Sequence, residues 1–277
     1  MKYRIKQLDK SFSTKMDLVK AIQGNFGEVF GKKKDTYKTE AEAVLKSSIF
    51  GGRFEPKINV NSDIIEVKAV INTTNVIDSH LDLHMASTWN KTVEDNPYSY
   101  HLKQHEGVFE SILSNKARSF NEDMNFRDLG LDIDFKTVAN INQFILKKAD
   151  NPLMFKQYAD GNVLQHNVGM FYVNIELAMY DEDSEKNMAF FEMAKSNAVN
   201  PEIADEHGYV WVVTEAKKRE GSAVVFGSNS ITPTLSVKDY DKSNEPFIKS
   251  TQSGTEPKGI HSEGIDYKAI AQNFNLK

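Results

Sequence analysis

Two stretches of the chain carry histidines four residues apart: His80-Leu-Asp-Leu-His84 and His101-Leu-Lys-Gln-His105. On a helix that spacing sets both rings on one face, where they could hold a metal ion. On a strand, at ~3.3 Å per residue, the rings stand about 13 Å apart and cannot share one. Neither stretch has a helical pattern. Surface or hydrogen-bonding histidines therefore outweigh a metal site, and a metal-dependent hydrolase on His80, Asp82 and His84 is the weakest reading. Three further segments could do chemistry. QHE places His105 beside an acid. QHNVGM, residues 165–170, opens a long apolar strand. REGSAVVFGSN, residues 219–229, puts Glu220, Ser222, Val224 and Phe226 on one strand face. Each alone has a bland alternative. A lone histidine is more often structural than catalytic, a strand glutamate is usually solvated, and Ser222 and Ser228 read as small packing residues. Phosphate-loop, dinucleotide and nucleophile-elbow patterns are absent, and the glycines of FGGRF read as a loop.

Composition narrows the choice. The 277 residues are 40% hydrophobic and 26% charged, as in an ordinary globular protein. There is no cysteine, which excludes disulfides, thiolate metal sites and a cysteine nucleophile, and fits a reducing compartment. No run reaches the ~18 apolar residues of a membrane span, and the basic N-terminus lacks the apolar core of a signal peptide. The net charge is −5 with acids and bases interspersed, which argues against a nucleic-acid partner. The basic run Lys32-Lys33-Lys34 reads as a solvated turn.

The elements that must position these residues follow from periodicity. Met16, Val19, Ile22, Phe26 and Phe30 predict an amphipathic helix over 14–30, weakened by Gly24 and Gly27. A short helix at 39–47 has Thr39 as its N-cap. Ile65, Val67, Ala69 and Ile71 alternate with polar residues as a half-buried strand. A helix follows Ser87, its N-cap, and ends at Asn96-Pro97. Residues 98–113 read as strand, loop and strand, and 137–149 as a helix. Asn151-Pro152 begins another helix through Tyr158. The long strand follows Gly161, and residues 184–198 form a helix. GYVWVVTEAKKREGSAVVFG reads as two strands joined by a charged turn. From 236 the chain turns polar, as a linker and tail with a short terminal helix. The division is residues 1–55, a helical N-terminal extension; 56–235, a strand-rich α+β domain; and 236–277, the polar linker and tail.

Taken together and in order, several segments resemble the prohead maturation proteases of tailed bacteriophages, serine endopeptidases similar in fold to the herpesvirus assemblins. NVIDSHLDLHMASTW resembles the family's aspartate-rich segment, and YHLKQHE its histidine motif. FRDLG, NPLMFKQYADGNVLQHNVGMFYVNIELA and VWVVTEAKKREGSAVVFGSNSITPTL resemble one branch almost word for word. The resemblance spans much of residues 64–235. It implies a small, mostly antiparallel β-barrel surrounded by helices. It implies work inside an assembling prohead in the host cytoplasm, on capsid and scaffold proteins and on the chain itself. It implies no cofactor and no metal, with oligomerisation open. His105 would be the general base and Glu220 the residue that orients it, with Glu215 as second choice. The polar stretch 236–262 would be the accessible place for self-trimming.

The departure falls at the nucleophile. The family pattern is Gln-His-Ser-Val-Gly-Met, and here that serine is Asn167. Serine attacks because an imidazole can take its hydroxyl proton; an amide nitrogen has its lone pair delocalised. By strand alternation His166 faces away from Asn167 and cannot replace it. Gly169, two residues on, shares the face of Asn167 and allows close approach of a substrate backbone. Three explanations stand: a natural relative that lost catalysis and kept an assembly role, an enzyme whose serine was replaced, or asparagine cyclisation on its own backbone. Val168 weighs against the last, because a β-branched successor is stiff and slows ring closure.

Overall fold

A computed structural model describes residues 3–35 and 57–241. The helix expected at 39–47, the FGGRF loop and the terminal helix lie outside these residues, as does almost all of the polar tail. The N-terminal segment opens with a hairpin, β1 (Tyr3–Ile5) and β2 (Lys10–Phe12). The single helix expected over 14–30 is two, α1 (Lys15–Gly24) and α2 (Phe26–Asp35), which meet at Asn25. Thr14 caps α1 by accepting from the Asp17 N–H at 3.1 Å. Of the two glycines that weakened the pattern, Gly24 is where α1 ends and Gly27 lies in the first turn of α2. Lys32, Lys33 and Lys34 sit in the last turn of α2 instead of a solvated turn, and Lys33 is buried.

The remaining elements, in chain order, are β3 (Lys57–Asn59), β4 (Ile64–Thr73), β5 (Asp82–His84), α3 (Asn90–Asp95), β6 (Tyr98–Lys103), β7 (Ile112–Asn125), β8 (Lys136–Lys147), α4 (Pro152–Ala159), β9 (Gln165–Met179), α5 (Glu185–Ser196), α6 (Glu202–His207), β10 (Tyr209–Val224) and β11 (Thr234–Asp239). Four expectations change. Residues 137–147 form strand β8. Its central residues Ala139, Asn140, Ile141 and Asn142 alternate apolar and polar, but both asparagines are buried, so the alternation does not mark a solvent face. The two strands and charged turn expected at 208–227 are one 16-residue strand, β10. Register shifts against β9 between Val213 and Ala216 and between Lys218 and Glu220 absorb the charged stretch as bulges. Ser87 does not cap α3: the helix starts after Trp89, and the Ser87 hydroxyl donates to the Thr214 carbonyl at 3.1 Å. The polar stretch from 236 begins as β11, which pairs antiparallel with β4.

The molecule is α+β. Nine strands form one mixed sheet in the order β3-β11-β4-β8-β7-β6-β10-β5, with β9 paired to β10. Five pairings are antiparallel and three, β3–β11, β5–β10 and β6–β10, are parallel. The expected barrel is not seen as a closed ring, because among the described residues no strand pairing joins β3 to β5 or β9. β10 is the hub. Its first half lies between β5 and β9, and its last half between β6 and β9. The N-terminal segment belongs to the same core: Ile5, Leu18, Val19, Ile22 and Val29 cluster with Trp211, Val213, Tyr172 and Met170.

Gly221 marks where the sheet folds tightly over itself. A Cβ there would lie 2.5 Å from Asn142 Nδ2 and 2.9 Å from Ile71 Cγ2. Both neighbours are buried, so neither can swing into solvent. Gly221→Ala is expected to destabilise by about 1–3 kcal/mol through overpacking, despite alanine's better backbone entropy. Urea unfolding of the variant checks this; unchanged stability would show that the packing at Gly221 is loose.

Candidate active site

Three adjacent strands build the site. On β10, Glu220 and Ser222 are two residues apart and share a face. Across the β9–β10 pairing, Ser222 stands opposite Asn167 and Glu220 opposite Gly169. Directly opposite residues share a face, so Glu220, Ser222, Asn167 and Gly169 form one patch. His166 pairs with Ala223 on the other face. His105 arrives from the far side of β10, just past the end of β6, which runs parallel to residues 220–223.

The turn that delivers His105 is strained. Gln104 and His105 are both left-handed, with φ +54° and +59°. Glu106 N–H donates to the Lys103 carbonyl at 3.1 Å, as in a type I′ turn. Such turns favour glycine or asparagine, and two other residues in this region cost on the order of 1 kcal/mol or more each. Neighbours hold the strain: Gln104 N–H donates to the Ala223 carbonyl at 2.9 Å, and His105 N–H to Ser222 Oγ at 3.2 Å. Ser111 Oγ closes the far side, its one proton lying within reach of the carbonyls of Glu106 and Val108. The result aims a buried imidazole at the patch while its backbone lies near the surface.

His105 Nδ1 is 2.7 Å from Glu220 Oε1, and both side chains are under 5% exposed. A carboxylate only accepts, so Nδ1 carries a proton, and in the neutral ring Nε2 keeps its lone pair. Nε2 is buried and has no hydrogen-bond partner among the described residues. The arrangement is that of a general base held in its working tautomer and awaiting a proton donor. Glu215, the alternative acid, is elsewhere: its Oε2 accepts from Asn174 at 2.8 Å and its Oε1 lies 3.5 Å from Lys91.

Asn167 is buried, and its Oδ1 accepts from Ser228 Oγ at 3.0 Å. Ser222 Oγ donates to Glu220 Oε2 at 2.7 Å. The two serines read as packing residues are thus polar parts of the site. The sequence held one signal for this: Ser222 lies two residues from Glu220 on a strand, and so on the same side.

Behind the patch runs a second buried network whose proton order is fixed. The His166 Nδ1 contact at 3.2 Å is to the Thr232 carbonyl, so that nitrogen is the donor. His166 Nε2 must then accept from Tyr158 O–H at 3.1 Å. Tyr158 Oη in turn accepts from His101 Nε2–H at 3.3 Å, and His101 Nδ1 accepts from Asn142 Nδ2 at 3.2 Å. Every polar atom in this chain is matched only if both imidazoles are neutral. Burial pushes His166 down to about 4, partly opposed by the Thr232 bond. Burial first, then the neighbouring His166 and His105, holds His101 well below the ordinary imidazole value. Because the folded value of His166 lies below the unfolded value of ~6.5, the unfolded chain binds more protons between pH 6.5 and 4, and stability falls with pH there. His166 alone is expected to remove about 3 kcal/mol by pH 4. Denaturant unfolding at pH 7.5 and 4.5, with His166→Gln as the flattened control, measures it. Equal stability at the two pH values would rule the assignment out.

Among the described residues no three His, Asp, Glu or Cys side chains converge as metal ligands. Asp82 Oδ1 is 2.6 Å from Lys33 Nζ, and His84 Nδ1 contacts Asn72 Nδ2 at 3.1 Å against the Trp89 ring. Nor is any described helix long and apolar enough to cross a membrane. Beside the patch lies a cleft of about 370 Å³, lined by Leu153, Met154, Val163, Leu164 and Val225, with Gln104 and Gln165 on its rim. Gln104 precedes His105 and Gln165 lies two residues before Asn167, but His105, Asn167, Glu220 and Ser222 themselves do not line the cleft. Phe109, on the loop between β6 and β7, is 90% exposed. No protein-family model, curated protein or solved structure matches the chain.

Proposed function

We propose that this chain has the site of a serine endopeptidase of the phage prohead maturation class, with Asn167 in the nucleophile position. One observation carries the reading: an Nδ1-protonated His105 bound to a buried Glu220, with an unoccupied Nε2, beside the strand face that holds Asn167. A base held this way is poised to take a proton from a group on that face. The assemblin-like barrel remains part of the proposal. The close packing of Ile71 on β4 and Asn142 on β8 against Gly221 on β10 supports a sheet that curls there.

With serine at 167 the chemistry balances without a cofactor. The hydroxyl oxygen attacks the scissile carbonyl carbon as its proton passes to His105 Nε2, and the carbonyl π electrons move to oxygen. The C–N bond then breaks, and the same proton leaves with the amine. Water repeats the sequence on the acyl-enzyme, using His105 again as base, while Glu220 stabilises the imidazolium in both halves. The cleft of mixed polar and apolar lining that includes Gln104 and Gln165 is our candidate for where an extended peptide segment of capsid or scaffold protein would lie. Asn167 has no hydroxyl proton to give, so the chain with asparagine is inert in the first step.

A second reading, a capsid- or scaffold-binding assembly factor without catalysis, draws support from the Asn167–Ser228 bond, which gives the asparagine a place in the site. Intact mass separates the two. The chain and its Asn167→Ser variant are each incubated alone and with the capsid or scaffold protein. Cleavage or loss of the tail by the serine form alone supports the protease. If neither form cuts and the asparagine form binds the partner, the assembly factor stands.

A further inference from the structure

We infer that Ser222 is a positioning residue that locks His105 in its base tautomer by holding both the backbone and the carboxylate that orient it. The inference rests on the reading of His105 as the base. Ser222 Oγ makes two bonds with opposite roles: it accepts from His105 N–H at 3.2 Å and donates to Glu220 Oε2 at 2.7 Å. Glu220 Oε1 meets His105 Nδ1 at 2.7 Å. The bonds close a ring from the His105 backbone through Ser222 and Glu220 to the His105 ring. A hydroxyl has one proton, and here it goes to the carboxylate. That leaves its lone pair for the strained His105 amide and turns Oε1 toward Nδ1.

Ser222 is fully buried, so water cannot stand in for it. Without the hydroxyl, Glu220 loses its second anchor and can rotate, and the left-handed His105 backbone loses one of the bonds that offset its strain. The imidazole is then free to place its proton on Nε2, which disables it as a base. Ser222 does not reach the reacting atoms itself. Its hydroxyl proton points at a carboxylate and not at His105 Nε2, so it is not a displaced nucleophile.

The test uses two variants, Ser222→Ala and the near-isosteric Ser222→Cys, whose thiol is a weak donor and fills almost the same volume. Long-range 15N–1H spectra of the histidine rings at pH 8 report which nitrogen of His105 is protonated. The parent chain is expected to show Nδ1–H alone, and both variants a mixture with Nε2–H. In an Asn167→Ser background, kcat/KM is expected to fall about tenfold or more, the rate equivalent of one hydrogen bond to a charged group. A purely structural role would leave the tautomer unchanged. If a folded variant of either kind keeps Nδ1–H alone, the inference is overturned, whatever the rate does. If Asn167→Ser shows no cleavage but the tautomer shifts in the variants, the ring stands and the nucleophile reading fails.

Discussion

Asn167→Ser is expected to raise peptide-bond cleavage by a factor on the order of 10⁶, the cost of losing the nucleophile in serine peptidases. The magnitude follows because the remaining machinery is already assembled. His105 has its proton on Nδ1, its partner Glu220 is buried and bonded, and Nε2 has no competing donor. Serine is smaller than asparagine and alternates to the same face, opposite Ser222. The substitution removes the acceptor of Ser228 Oγ, so the serine form is expected to be less stable by about 1 kcal/mol, a common cost of a working site. Cleavage is measured as mass loss from the chain or its partner over time. Adding His105→Ala to the serine form should return the rate to near that of the asparagine chain, because triad residues act as a unit and their losses do not add. A serine form no faster than the asparagine form would refute the nucleophile assignment and leave the binding reading.

The parts of this site legible in the sequence were those carried by strand alternation and order. Glu220 and Ser222 share a face by spacing, and His166 faces away from Asn167 by the same rule; the β9–β10 register agrees with both. The loop after YSYHLK delivers His105 to Glu220, at 2.7 Å. What was not legible depends on tertiary structure. β8 was not legible as a strand although Ala139, Asn140, Ile141 and Asn142 alternate apolar and polar, because both asparagines are buried and the alternation marks no solvent face. The charged run Glu215–Arg219 reads as a turn because bulges, which let a strand carry such a run, leave no local mark. The left-handed pair Gln104–His105 lacks the glycine that would announce it. Ser222 gave a signal by spacing, but its two bonds depend on a strand that pairs in parallel from another part of the chain. Lys33 was hidden for a related reason: a lysine in a basic run reads as solvated until a partner is found across the fold.

That lysine gives the second large effect. Lys33→Ala is expected to destabilise the protein by about 3–5 kcal/mol, the cost of leaving one buried charge without its partner. Lys33 Nζ lies 2.6 Å from Asp82 Oδ1, with both side chains at most 5% exposed. It also donates to the His80 carbonyl at 3.2 Å and sits 5.2 and 5.5 Å from the ring centroids of Tyr172 and Trp211. Tyr172 O–H donates to the other oxygen of Asp82 at 2.5 Å. Asp82 lies on β5, Tyr172 on β9 and Trp211 on β10, so a single α2 side chain joins the N-terminal segment to the strands around the hub. Truncating it strands the Asp82 carboxylate in an apolar surround. Removing both charges, as Lys33→Met with Asp82→Asn, is expected to cost much less, because the asparagine can still accept from Tyr172 and no net charge stays buried. The double-mutant cycle by urea unfolding therefore separates a buried ion pair from simple loss of packing. A double variant as unstable as the sum of the two single ones would show that the charges do not interact. The coupling also bears on function, since β9 and β10 are the strands that hold Asn167 and Glu220. An N-terminal segment released from Lys33's site would loosen the support beneath the patch, so loss of Lys33 is expected to lower the activity of the serine form as well as its stability.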